Sequence, residues 1–244
     1  PVGGINAGTV YLGGDGRLWL WDIFNANQNG IEPKTIEWHS SVHVGKKIRS
    51  QDGSAYVQPA KDIRPLEQGF AFKIVIGDKT IFKKMEASDW DDIIFEATYP
   101  MAKVRYIDKN LPIDITAEIF SPFIPLDEKN SSLPCTVYSF NIKNRSASTI
   151  KVDVLGWLEN KVAPRSAKES DKRINTVFSD KTTQGVFCSI GLNANPGLSA
   201  AADYGSLSIA SIGKQAITKT KPESVPPHVY AVLLHGDAAL AVAL

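Results

Sequence analysis

Across 244 residues, 27 Lys+Arg stand against 26 Asp+Glu, and 43% of the chain is hydrophobic and 22% charged. That composition suits a globular chain with a buried core and excludes collagen, coiled coil and disorder. A formal net charge of +1, with both signs mixed along the chain, creates no field that would draw nucleic acid or anionic lipid. No apolar run reaches the roughly 20 residues of a membrane-crossing helix, so no transmembrane segment is expected.

The chain opens on Val2-Gly3-Gly4-Ile5-Asn6-Ala7-Gly8, which has neither the Gly-Lys-Ser/Thr ending of a phosphate loop nor the spacing of a dinucleotide fingerprint. These glycines read as a tight loop, and no cofactor is implied. Residues 9–12 and 17–24 flank Gly13-Gly14-Asp15-Gly16, where Asp-Gly favours a positive-φ turn, so a β-hairpin is expected. The run from Leu18 to Asn25, which includes most of its second strand, carries Trp19, Trp21, Asp22 and Asn25. Tryptophans two apart on a strand share a face, which serves equally as a packing interface or as a platform for a sugar ring.

His39 and His43 have zinc-like i, i+4 spacing but flank Ser-Ser-Val with no glutamate between them, so no metal site is assigned. Period-two alternation returns at 70–76 and 80–85 around Gly77-Asp78, and again at 103–107, 113–119, 136–143 and 150–154. Asp89, Asp91 and Asp92 around Trp90 read as a solvated loop with a tryptophan anchor rather than as catalytic carboxylates. Asn130-Ser-Ser and Asn144-Arg-Ser match glycosylation acceptors. Cys135 and Cys188 sit in apolar alternating segments and read as buried free thiols. No Gly-x-Ser-x-Gly elbow is present, and no serine has an obvious His and Asp in support.

Residues 33–65 and 161–175, rich in Pro, Gly, Ser and charge, are expected to be the least ordered. The C-terminal stretch reads as two apolar strands around His235-Gly236-Asp237, with neighbouring strands pairing antiparallel. Ten or more strand segments without crossover helices predict an all-β chain, a large antiparallel β-sandwich. The apolar finish suggests that the sandwich is cut at its C-terminal end, leaving residues 1–244 as an incomplete domain with exposed edges.

The opening stretch through Asn25 resembles that of the non-lysosomal glucosylceramidase family, glycoside hydrolase family 116. Four further segments are similar to the same family in the same order: Phe95-Glu-Ala-Thr-Tyr-Pro-Met-Ala-Lys-Val-Arg-Tyr-Ile-Asp108, Phe120-Ser-Pro-Phe-Ile-Pro-Leu126, Ser131-Ser-Leu-Pro134 and Val154-Leu-Gly-Trp-Leu-Glu-Asn160. The resemblance implies the N-terminal β-supersandwich of a β-glucosidase whose (α/α)6 helical domain follows and supplies both catalytic carboxylates. It therefore implies no catalytic residue in this chain and inactivity of the chain alone. The partner would be the helical domain, and the substrate of the whole enzyme a β-glucoside or a glucosylceramide-like lipid. Gly3, Gly4, Gly8, Trp19, Trp21, Asp22 and Asn25 are then candidates for a cleft-rim or interdomain surface. A free-standing carbohydrate-binding sandwich is the alternative expectation, motivated by Trp19, Trp21 and Trp90.

Overall fold

A computed structural model describes the backbone of residues 9–22, 35–38, 46–49, 66–213, 217–218, 230–235 and 239–243, and side chains within 10–18 and 66–213. Seventeen strands lie among the described residues, with one helical turn, α1 (Glu128–Ser131), and two short 3-10 turns. The strands are β1 (Thr9–Leu12), β2 (Leu18–Asp22), β3 (Thr35–Trp38), β4 (Lys46–Arg49), β5 (Gln68–Ile76), β6 (Lys79–Lys84), β7 (Asp92–Thr98), β8 (Met101–Ile107) and β9 (Ile113–Phe120). They continue with β10 (Cys135–Asn144), β11 (Ile150–Leu158), β12 (Arg173–Ser179), β13 (Thr183–Ile190), β14 (Leu207–Ile212), β15 (Ile217–Thr218), β16 (Tyr230–His235) and β17 (Ala239–Ala243).

Two large sheets organise the chain, one of eight strands in the order β12-β13-β14-β17-β10-β9-β8-β7 and one of five in the order β15-β16-β11-β5-β6. All described pairings are antiparallel. Alternation produces this directly. In β9, Ile113, Ile115, Ala117 and Ile119 are buried while Asp114 and Glu118 are exposed, and in β10 Thr136, Tyr138 and Phe140 are buried. The expected all-β fold is therefore present, and strand after strand begins and ends within a few residues of its expected place.

The sheets meet through aromatic side chains. Phe70 of β5 lies 4.5 Å from Tyr138 of β10, ring centre to ring centre, and Phe72 lies 5.3 Å from Phe140. Gly156 of β11 is bare because a Cβ there would stand 2.9 Å from both Phe70 of its own sheet and Ile209 of β14 opposite. Each large aromatic pair of this kind contributes about 0.5–1.5 kcal/mol beyond the area it buries.

Two expectations differ from the structure. β16 and β17 are both strands, but they do not pair with each other: β16 joins β11 in the five-stranded sheet, and β17 lies between β14 and β10 in the other. Two apolar strands separated by a short link can bridge the layers of a sandwich as readily as form a hairpin, since each layer needs an apolar strand. Residues 161–175 are also not loose. Val162 and Ala163 are fully buried, and the segment is tied down by Asn160, Asp171 and Asp203. The Asp203 carboxylate accepts from the amides of Arg165 at 2.8 Å and Ser166 at 3.0 Å, and Asp171 accepts from that of Lys168 at 2.8 Å. Most of residues 33–65 lie outside the described residues.

Candidate functional site

The β1–β2 hairpin, expected to carry a contact surface, is held by its turn. Gly16 adopts φ +88, a left-handed conformation natural to glycine, and Asp15 accepts from the Arg17 amide at 3.1 Å and from Arg17 Nε at 2.6 Å. The turn is embedded against the inner face of the eight-stranded sheet. Tyr106 Oη donates to the Asp15 carbonyl at 2.8 Å and Tyr138 Oη to the Gly16 carbonyl at 3.0 Å. Burial pushes both phenols well above their ordinary range, so both keep the proton that makes the bond. Val10 and Leu18 complete the attachment by joining the core.

Among the candidate residues, Trp21 stands opposite Val10 and Asp22 opposite Thr9, whereas Trp19 falls at a register shift, between Leu18 opposite Leu12 and Leu20 opposite Tyr11. The side chains of Trp19, Trp21 and Asp22 lie outside the described residues, as do Gly3, Gly4, Gly8 and Asn25 entirely. His39, His43 and His228 are likewise outside them.

Trp90 does act as an anchor. It is buried, its indole N–H donates to the Lys84 carbonyl at 2.7 Å, and its ring lies 5.1 Å from that of Tyr106. The carboxylates around it serve the backbone: Asp89 accepts from the Lys84 amide at 2.6 Å and Asp91 from the Lys109 amide at 2.7 Å. Lys83 ties this corner together, donating to the Asp89 carbonyl at 2.6 Å, pairing with Asp108 at 2.7 Å and lying 5.6 Å above the Trp90 ring. Partial burial works against the Asp108 charge, but the Lys83 ammonium and the Asn110 and Leu111 amides outweigh it and hold the carboxyl below its ordinary value. A carboxyl depressed on folding stabilises the fold above its unfolded pKa, and that contribution fades as pH falls through the folded value. Asp108→Asn should therefore lower stability at neutral pH and flatten its decline below the ordinary carboxylate range. Urea titrations at neutral and acid pH measure this, and parallel curves for the two proteins would refute it.

The cysteines are free: Cys188 is buried and Cys135 half-buried. Burial pushes the Cys188 thiol up to about 12 and raises Cys135 as well, which suppresses the reactive thiolate. A thiol reagent at neutral pH should label Cys188 only after denaturation, and rapid labelling of the native chain at that residue would contradict the packing. Asn130 in α1 and Asn144 at the end of β10 are exposed, and their side chains bond Asp127 and Ser148.

On the outer face of the eight-stranded sheet, a recess of ≈ 620 Å³ is lined by residues including Arg105, Asp108, Asp114 and Arg145. Four of the charged groups that line it are paired, Arg145 with Asp114 at 2.9 Å, Arg105 with Glu96 at 3.6 Å and Asp108 with Lys83. Among the described residues no group of three or more His, Cys, Asp or Glu is placed to hold a metal ion. What sequence reasoning missed lies at one end of that sheet, where Tyr99, Met101, Phe123, Ile124, Leu126 and Leu133 are exposed. The β7–β8 hairpin and the β9–β10 connection contribute them, so no single stretch of sequence signals the whole cluster.

Residues 1–230 match the family described as beta-glucosidase 2, glycosyl-hydrolase family 116 N-term. No curated protein matches the chain. A match over nearly the whole length, on an all-β chain of two facing antiparallel sheets, makes this chain a member of the glycosyl-hydrolase family 116 N-terminal family.

Proposed function

We propose that the chain is the non-catalytic β-sandwich of a retaining β-glucosidase or glucosylceramidase-type hydrolase, packed on a helical (α/α)6 domain whose cleft it helps to shape. The observation that carries this reading is the match of residues 1–230 to the N-terminal part of that hydrolase family. A retaining displacement needs two carboxyl groups about 5–5.5 Å apart, one of them free to attack. The engagement of Asp15, Asp89, Asp91, Asp108 and Asp203 in backbone bonds or ion pairs supports assigning that chemistry elsewhere. Gly3, Gly4 and Gly8 with Trp19, Trp21, Asp22 and Asn25 are the proposed rim, a position in which an interdomain crevice meets its ligand.

The test is to express the longer polypeptide that contains this domain and to measure glucose release from an aryl β-glucoside, with residues 1–244 assayed in parallel. Activity confined to the longer polypeptide is expected. Release of glucose by residues 1–244 alone, or none by the longer polypeptide on any glucoside, would remove the reading.

A further inference from the structure

The exposed apolar cluster is assembled by strand register. Thr98 pairs with Met101 across the β7–β8 turn, Met101 with Phe120 at the end of β9, and Phe120 with Val137 near the start of β10. The connections that leave this end therefore bring Tyr99, Phe123, Ile124, Leu126 and Leu133 around Met101. Tyr99 and Phe123, from different connections, meet edge to face at 5.5 Å.

The loop that presents them is fixed rather than merely polar-capped. Ser131 Oγ accepts from the Ile124 amide at 2.8 Å and donates to the Ile124 carbonyl at 3.0 Å. Asp127 closes the next turn by accepting from the Asn130 amide at 3.0 Å, and its own amide donates to the Ile124 carbonyl at 3.0 Å. Leu126 is held at φ +66 with its side chain wholly in solvent. A left-handed leucine costs about 1–2 kcal/mol in backbone energy, and an unburied one recovers none of it. Clusters of large apolar groups in water mark contact surfaces.

The direction of β17 bears on which partner this end meets. Ala243 stands opposite Cys135 on one side and Ser208 on the other, so β17 points toward this same end of the sheet. Whatever continues the polypeptide past it sets out beside the cluster. Resting on the reading of the chain as the N-terminal part of a larger hydrolase, we infer that this end is the seat on which the following domain of the same polypeptide packs an apolar helical surface. The seat is distinct from the proposed rim on the β1–β2 hairpin.

Hydroxyl-radical footprinting of the full-length polypeptide tests this with an internal reference. Phe82 on β6, 55% exposed, should label freely, whereas Tyr99, Met101 and Phe123 should lose their labelling. Replacing Phe123 and Leu126 together by Glu should restore it and separate one unfolding transition into two, while Phe82→Glu should do neither. Tyr99 and Met101 labelled as readily as Phe82 would overturn the seat, even in a polypeptide that releases glucose. Protection that disappears on dilution would assign the surface to a second copy and overturn it too. A protected seat on a polypeptide inert toward every glucoside would leave the seat standing and retire the hydrolase reading.

Discussion

Ala241→Pro is expected to broaden the unfolding transition of the chain and bring it on early. Ala241 sits mid-way along β17, opposite Val137 on one side and Ala210 on the other. Proline removes a ladder donor and thrusts a ring at a neighbouring strand, which is why it is confined to edges and bulges. The lost bond and the orphaned partner together cost about 2–4 kcal/mol before any steric term, out of a typical stability of about 5–15 kcal/mol. The damage is not confined to one pair. Among the described strands β17 alone joins β12-β13-β14 to β10-β9-β8-β7, so displacing it parts the sheet into two blocks with new edges. Thermal melts followed by circular dichroism should show a broad, early transition for Ala241→Pro and a near-normal one for Ala241→Ser, which keeps the amide. An unchanged melt for the proline variant would mean that β17 is not the central strand.

Asn160→Leu is expected to release the β11–β12 connection and lower global stability by about 2 kcal/mol, because it leaves the buried Val162 amide unpaired at about 1–3 kcal/mol and removes the bonds to the partly exposed Ile174, Asn175 and Ser189. Asn160 is buried. Its Nδ2 donates to the Ile174 carbonyl at 3.1 Å, Asn175 Oδ1 at 2.9 Å and the Ser189 carbonyl at 2.9 Å, and its Oδ1 accepts from the Val162 amide at 3.2 Å. One amide group thus joins the end of β11 to β12 and β13. Leucine matches the volume and supplies none of the bonds. The urea midpoint should fall, and amide exchange should quicken first between residues 161 and 172. Exchange that stays slow there, with a fallen midpoint, would place the damage elsewhere.

Strand positions were legible because a sandwich half-exposes most of its strands and therefore imprints alternation on them: Ile113 to Ile119 is the clearest case. Pairing was less legible. Nothing local in Tyr230 to Ala243 distinguishes a hairpin from two strands that enter different sheets, since both demand the same apolar residues. Residues 161–175 misled for a related reason. Composition counts Asn, Asp, Ser and Lys as solvated, whereas Asn160, Asp171 and Asp203 are buried and each accepts a hydrogen bond from a backbone amide of this segment. At the candidate surface, Asp15-Gly16 was readable as a turn, but the phenols of Tyr106 and Tyr138 that receive it lie far along the chain. The apolar end was invisible for the same reason, because Tyr99, Phe123 and Leu133 become neighbours only through register.

The separate destinations of β16 and β17 also govern when this domain can be born. β5 and β11 can pair once residue 158 has been made, and β7 to β10 can form a meander soon after their own synthesis. The described order of neither layer can be reached until β16 and β17 emerge, because β16 extends one and β17 joins the halves of the other. Such late, long-range closure is slow and leaves strand edges open meanwhile. A nascent chain stalled before Ala239 should remain protease-sensitive at the ribosome and one carrying β17 clear of the exit tunnel should resist, so the two sheets are expected to lock only once that strand has emerged.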